Sequence, residues 1–278
     1  MSAGVLYVVA TPIGNLEDIT LRALRVLRDV DLVAAEDTRR TRALLTHHGI
    51  RRPLASYYDA VERRRAPRLV ERLSAGASVA LVTDAGTPGI ADPGYHLVRG
   101  ALAAGVRVVP VPGPSAVTTL ASVAGFPAER FVFEGFLPPR AGARAERLGA
   151  LATEPRALLF FEAARRLLAF LAAAEVALGD REAVVARELT KVHEEFQRGS
   201  LATLRRAIVG EVRGEVAVLV AGASARPPAL DPAALDEEIR AARAAGRSTR
   251  ELASEIAVRT GLSRRAVYRR ALELEHRR

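Results

Sequence analysis

The chain has 278 residues, 49% of them hydrophobic and none of them cysteine. That is enough apolar material for a sizeable core, and it excludes disulfides, thiolate metal sites and a cysteine nucleophile. Lys and Arg number 41 against 32 acidic residues, a net charge of +9. The excess favours a polyanionic partner, although the Arg and Ala bias of a GC-rich genome weakens that inference. No apolar run reaches the ~18 residues of a membrane span, and Val5 opens a strand without the basic start and cleavage site of a signal peptide. A cytoplasmic protein is expected.

The continuous apolar run Val5–Ala10 predicts a strand, followed by the turn Thr11-Pro12-Ile13-Gly14-Asn15 and a helix from about Thr20 to Val30. No G-x-G-x-x-G follows the strand, which argues against a dinucleotide site. Leu32–Ala35 predicts a second strand, with Glu36 and Asp37 at its carboxyl end and a helix running to His47. Asp37 is equally suited to capping that helix and to chemistry. Leu54–Tyr58 reads as a third strand and Glu62–Ala75 as a helix. Ten Arg between Arg39 and Arg72, against three acids, could follow a phosphate backbone.

The stretch Ser78–Ser115 organises the chain. Two strand-like runs, Ser78–Thr83 and Val106–Val111, end in the loops Asp84-Ala85-Gly86-Thr87-Pro88-Gly89-Ile90 and Pro112-Gly113-Pro114-Ser115. A helical pattern over Gly94–Ala104 joins them. In a parallel sheet this unit sets both loops side by side at the carboxyl ends of the strands, where open α/β sheets bind ligands.

A small-residue helix runs to Ala124, and Gly125-Phe126-Pro127 marks a boundary. Beyond it, strands are predicted at Phe131–Gly135, Ala157–Phe161, Glu182–Ala186 and Val216–Ala221, with helices to about Ala152 and over Leu167–Leu178. Pro227-Pro228 reads as a linker. The rest is helical in pattern: Asp236–Ala245, a helix opened by the capping box Ser248-Thr249-Arg250-Glu251, and Arg264–Leu274 capped by Ser263. The short Gly turn and the basic last helix suggest a helix-turn-helix. The division expected is 1–125 and 126–226 as two α/β domains and 231–278 as a helical module. No spacing of carboxylates or His suits a metal.

Seven stretches in order carry a resemblance: VATPIGNLEDITLRA (Val9–Ala23), AAEDTRRTRALL (Ala34–Leu45), VTDAGTPGIADPG (Val82–Gly94), VPGPSA (Val111–Ala116), FEGFLP (Phe133–Pro138), FFEAARRL (Phe160–Leu167) and RELTKVHEEF (Arg187–Phe196). Together they are similar to the ribosomal RNA small subunit methyltransferase I family of the tetrapyrrole-methylase superfamily. The resemblance implies two α/β domains with S-adenosyl-L-methionine in the cleft between them. It implies 2'-O-methylation of a cytidine ribose in 16S rRNA, with the 30S ribosomal subunit as partner, no metal or membrane, and a homodimer. Motif by motif, it implies cofactor contacts from Ile13, Ala85, Gly86, Thr87, Ile90, Ser115, Ala116, Glu162 and Leu189. One motif departs from the family pattern Y-E-S-P-H-R and reads Phe161-Glu162-Ala163-Ala164-Arg165-Arg166 here, so the tyrosine hydroxyl and the histidine are absent.

A sulfonium already activates its methyl group, so the protein must align a sugar oxygen and accept or relay its proton. The candidates at strand ends are Asp37, Lys191, Glu36, Glu162 and Glu188. Lys191 is the sole lysine of the chain, a pointed choice since Lys shifts its pKa more readily than Arg. Arg39, Arg40, Arg166, Arg264, Arg265 and Arg269 are the candidates for RNA contact. Competing readings are a methylase of a tetrapyrrole-like small molecule and a non-catalytic RNA-binding assembly factor.

Overall fold

The computed structural model describes residues 4–223, 232–260, 262 and 264–276. The linker expected at Pro227-Pro228 and the cap expected at Ser263 lie outside the described residues. The chain forms two compact units, one of residues 1–152 and 156–222, the other of residues 153–155 and 223–278.

The first unit holds two five-stranded sheets. Strands β1 (Val5–Val9), β2 (Leu32–Ala35), β3 (Leu54–Ser56), β4 (Val79–Val82) and β5 (Arg107–Val111) form a parallel sheet in the order β3-β2-β4-β1-β5. Helices α1 (Leu21–Asp29), α2 (Thr38–His47), α3 (Asp59–Ser74) and α4 (Tyr95–Ala103) supply the crossovers. Alternate residues explain why β2 and β4 read as unbroken apolar runs. Val33, Ala35, Ala80 and Val82 pack with α1 and α2, whereas Leu32, Ala34, Val79 and Leu81 pack with α3 and α4. A parallel strand covered on both faces has no polar side to show. Helix α1 starts where Thr20 accepts a hydrogen bond from the Ala23 amide, and α2 where Asp37 accepts one from the Arg39 amide.

After α5 (Ala116–Ser122) come β6 (Phe131–Phe136), α6 (Ala141–Ala150), β7 (Ala157–Ala163), α7 (Leu167–Leu178), β8 (Glu182–Arg187), β9 (Glu195–Ser200), α8 (Leu201–Ala207) and β10 (Glu215–Val220). The second sheet is mixed, in the order β6-β7-β10-β8-β9, and only β6 and β7 run parallel. Strand β9 and helix α8 carry no apolar run of strand length and are not apparent in the sequence pattern. Strand β9 lies at the sheet edge, where a half-solvated polar strand is tolerated. One face of this sheet packs on α6, α7 and α8. On the other, Ala157, Leu159, Val184, Ala186, Ala217 and Leu219 pack against Ile13 of the loop after β1 and against Val117, Leu120 and Ala124 in and after α5. That shared apolar layer sets the carboxyl ends of the first sheet beside the second.

The second unit contains helices α9 (Pro232–Ala244), α10 (Thr249–Thr260) and α11 (Arg264–His276). Their own core includes Ile239, Leu252, Ala253, Ile256, Val267 and Ala271. The capping box is formed: the Ser248 amide donates to the Glu251 carboxylate at 3.0 Å, and the Glu251 amide to Ser248 Oγ at 3.3 Å. No described helix is long and apolar enough to cross a membrane.

Candidate active site

The loops after β1, β4 and β5 meet at one end of the parallel sheet. Thr11 and Gly86 exchange backbone hydrogen bonds, the Thr11 amide to the Gly86 carbonyl at 2.9 Å and the reverse at 3.0 Å. The loop after β4 bends sharply: Gly86, Gly89 and Gly94 have positive φ, and so does Ala91 at 60°. Three glycines there avoid a Cβ penalty that Ala91 must bear. Glu62 of α3 ties the loop's far end, accepting from the Gly94 amide at 3.1 Å.

These loops and the facing sheet enclose a cavity of about 420 Å³. Its wall contains all nine residues expected to contact a cofactor: Ile13, Ala85, Gly86, Thr87, Ile90, Ser115, Ala116, Glu162 and Leu189. They arrive from five separate segments of chain.

Of the five catalytic candidates, only Glu36 and Glu162 stand in this wall. Glu36 is locked to the neighbouring strand end. Its Oε2 accepts from the Asp84 amide at 3.1 Å, while Asp84 Oδ1 accepts from the Asp37 amide at 3.0 Å. Burial, set against the Asp84 amide bond, leaves the Glu36 pKa raised, and nearby Asp84 and Asp59 add to the shift. Glu162 is buried, and its Oε1 accepts from the Ala163 amide at 2.8 Å and from Arg166 Nε at 2.6 Å.

Asp37, Glu188 and Lys191 are not in the wall, so a place at a strand end does not by itself bring a candidate to the cavity. Asp37 caps α2 and pairs with Arg39 at 2.6 Å, and the Arg39 bonds hold its carboxyl far below the usual range. Lys191 Nζ lies 3.0 Å from Glu188 Oε1 and 3.2 Å from Glu215 Oε2. Burial pulls its pKa down, but those two carboxylates more than offset it and the net shift is upward. The Glu215 amide and Lys191 together lower the Glu188 pKa. The turn is bent as well, with Glu188 and Thr190 at φ values of 54° and 62°. A Cβ on Gly14 would come within 2.4 Å of the Leu189 carbonyl oxygen and 2.5 Å of Lys191 Cγ. The first loop is thus seated directly on the turn that carries Leu189.

Among the basic candidates, Arg40 lines the cavity and faces Asp84 at 3.6 Å. Arg39 is committed to Asp37 on an exposed surface. Arg166 is paired with Glu162 at 2.5 Å, behind the wall. Arg264, Arg265 and Arg269 are exposed on α11 of the second unit, while Arg270 pairs internally with Asp236.

The wall residues that sequence reasoning missed include Asp84, Asp92, Glu215 and Phe136. Asp92 is half-buried, and burial followed by repulsion from Glu36 pushes its pKa up to about 7. The signal available for the two Asp was the motif TDAGTPGIADPG, which carries both in the loop after β4.

A sequence model of the tetrapyrrole (corrin/porphyrin) methylases matches residues 5–205. A protein of Pseudomonas aeruginosa named ribosomal RNA small subunit methyltransferase I is 54% identical over 226 residues, 80% of each chain. The chain belongs to this family. A Mesorhizobium japonicum relative of the same name is 47% identical over 273 residues, covering 97% of this chain and 92% of its own. Among solved structures, uroporphyrin-III C-methyl transferase from Thermus thermophilus complexed with S-adenyl homocysteine is similar with a TM-score of 0.56 at 22% identity, over 78% of this chain and 96% of that one. At that identity the likeness speaks to the fold, which the family shares. In this chain the cavity lies where the parallel sheet meets the mixed one.

Proposed function

We propose that the chain transfers a methyl group from S-adenosyl-L-methionine to the 2'-oxygen of a cytidine ribose in 16S rRNA, with the small ribosomal subunit as substrate. The observation carrying this reading is the cavity of about 420 Å³ walled by all nine of the residues that the family motifs assign to the cofactor. Its volume falls within the usual range for small-molecule sites. The named relatives support rRNA as the acceptor rather than a tetrapyrrole, since they reach 54% identity against 22% for the porphyrin enzyme.

The residues present fit such a ligand. Backbone groups of the Gly/Pro loops and the apolar sides of Ile13, Ala116 and Leu189 suit a nucleoside, and no phosphate cradle is called for. Glu36, Asp84 and Asp92 set negative charge around a donor that carries a sulfonium and an ammonium. When bound, the donor supplies an activated methyl. The chain's own task is to hold the sugar oxygen in line with it and to take up the hydroxyl proton. Glu162 Oε1 is held by the charged Arg166 as well as the Ala163 amide, whereas Glu36 Oε2 accepts from the neutral Asp84 amide and its pKa is raised, so Glu36 is the better placed of the two wall candidates to accept that proton. Lys191, Glu188 and Asp37 act as positioning residues.

The test is incubation of the protein with methyl-labelled S-adenosylmethionine and small subunits lacking 2'-O-methyl groups, followed by mapping of the label. Label on a cytidine ribose supports the reading. Cofactor binding without transfer to any rRNA would instead identify a non-catalytic assembly factor.

A further inference from the structure

Strand β6 begins with strict alternation. Phe131 pairs with Ala157 and Phe133 with Leu159, on the face turned toward α5. Continued alternation would send Phe136 to the opposite face, with Val132, into the core under α6 and α7. It does not go there. Glu134 is an extra residue in the strand, Gly135 takes a φ of 63°, and the register resumes with Gly135 opposite Phe160 and Phe136 opposite Phe161. This β-bulge returns Phe136 to the face that lines the cavity. The device is anchored: the Glu134 carboxylate, 7% exposed, accepts from Arg147 Nε at 2.7 Å and Nη2 at 2.8 Å.

The result is an aromatic ring on the cavity wall that stays 55% exposed. Phe161 steadies it edge to face, with ring centroids 5.7 Å apart, and Phe133 steadies Phe161 at 5.0 Å. A bulge, a left-handed glycine and an ion pair on a buried carboxylate thus maintain a half-exposed Phe where alternation would have buried it. Arg40, whose side chain is 63% exposed, adds positive charge to the same wall.

We propose that Phe136 is the stacking platform for the nucleobase of the nucleotide being methylated. Every base has a π-face, and protein sites hold unstacked bases on aromatic side chains in this way. Holding the base fixes the attached ribose, so the platform orients the 2'-oxygen toward the donor. The inference rests on the RNA-methylation reading above and adds a substrate contact to it.

The experiment compares wild type, Phe136→Leu, Phe136→Ala and Phe136→Trp with methyl-labelled S-adenosylmethionine and unmethylated small subunits. Cofactor affinity is measured separately by calorimetry and folding by circular dichroism. Phe136→Leu keeps an apolar wall but loses the aromatic face. It should raise KM for subunits about tenfold or more, leave cofactor affinity within about twofold, and be rescued by Trp. Unchanged KM in a folded Phe136→Leu protein overturns the proposal. So does loss of cofactor affinity in parallel with activity, which would make Phe136 a wall for the donor's own adenine. If the wild type itself transfers no methyl to subunits, the underlying reading fails and the platform falls with it. The wild-type lane alone separates that outcome from the others.

Discussion

Lys191 Nζ sits 3.0 Å from Glu188 Oε1 and, on its other side, 3.2 Å from Glu215 Oε2. The three groups staple the β8–β9 turn to the first residue of β10, and the Glu215 amide donates to the same Glu188 oxygen at 2.8 Å. Leu189, between the stapled residues, faces the cavity. The lone lysine of the chain is therefore tied to the turn that carries Leu189.

Replacing Lys191 by Met leaves two carboxylates facing each other across a turn with two left-handed non-glycine residues. Relaxation of that turn should raise KM for the methyl donor by about tenfold while kcat changes by less than about threefold. Lys191→Arg should recover part of the loss. Steady-state kinetics against donor concentration checks this. Collapse of kcat with normal donor affinity would return Lys191 to the reacting oxygen.

Glu36→Gln keeps an oxygen for the Asp84 amide and removes the basicity. A fall in kcat of about 100-fold with donor affinity nearly preserved is expected for a proton acceptor. The reverse split, weak donor binding with normal kcat, would assign Glu36 to cation recognition. Asp37→Asn retains the capping oxygen of α2 and should stay within about twofold of wild type in turnover.

Asp92 gives a pH signature. Its carboxyl titrates near 3.8 unfolded and at about 7 folded, so between those values the folded state holds a proton that the unfolded chain has released. Stability therefore falls as pH rises through that window, and the deficit is complete above about pH 7. Asp92→Asn should match wild type below about pH 4 and exceed it by up to about 4 kcal/mol at pH 8, as read by urea denaturation at both pH values. The same variant should bind the cationic donor more weakly. An acid kept at a thermodynamic disadvantage is the pattern of a residue retained for its site rather than for the fold.

Gly14→Ala would drive a methyl group into the Leu189 carbonyl and the Lys191 stem. Overpacking of this kind costs about 1–3 kcal/mol, and here the movement must separate Ile13 from Leu189, both cavity residues. A lower melting temperature together with weaker donor binding is expected. A variant with normal affinity would mean that the loop and the turn shift together.

Arg264, Arg265 and Arg269 project from α11 into solvent beside Tyr268, which is 41% exposed. If they meet rRNA phosphates, changing all three to Ala should weaken subunit binding and reduce the slope of log affinity against log salt by about 2–3. Donor affinity should be untouched. An unchanged salt slope would remove the helical module from the RNA interface.

The strands of the first sheet were legible because burial on both faces leaves apolar runs bounded by Gly and Pro, as at Leu32–Ala35, where expectation and structure coincide residue for residue. The cavity loops were legible for a related reason: Pro and Gly in TDAGTPGIADPG commit the backbone to turns whatever surrounds them. Strand β9 was not legible, because an edge strand with the sequence EFQRGS needs its neighbour β8 to be a strand at all.

Local pattern could therefore name the segments that build the site, but not which of their acids look inward. That was decided in three dimensions. Asp37 and Glu36 are adjacent in the chain, yet one caps a helix and the other enters the cavity. Glu188 and Lys191 belong to a motif as telling as any other and still lie outside the wall. Phe136 reached the cavity only because one bulge in β6 changed the parity of the strand. Secondary structure and turns are set by interactions within a few residues, which sequence records. The direction of a side chain at a junction depends on register, bulges and partners tens of residues away, and these exist only once the sheets have packed.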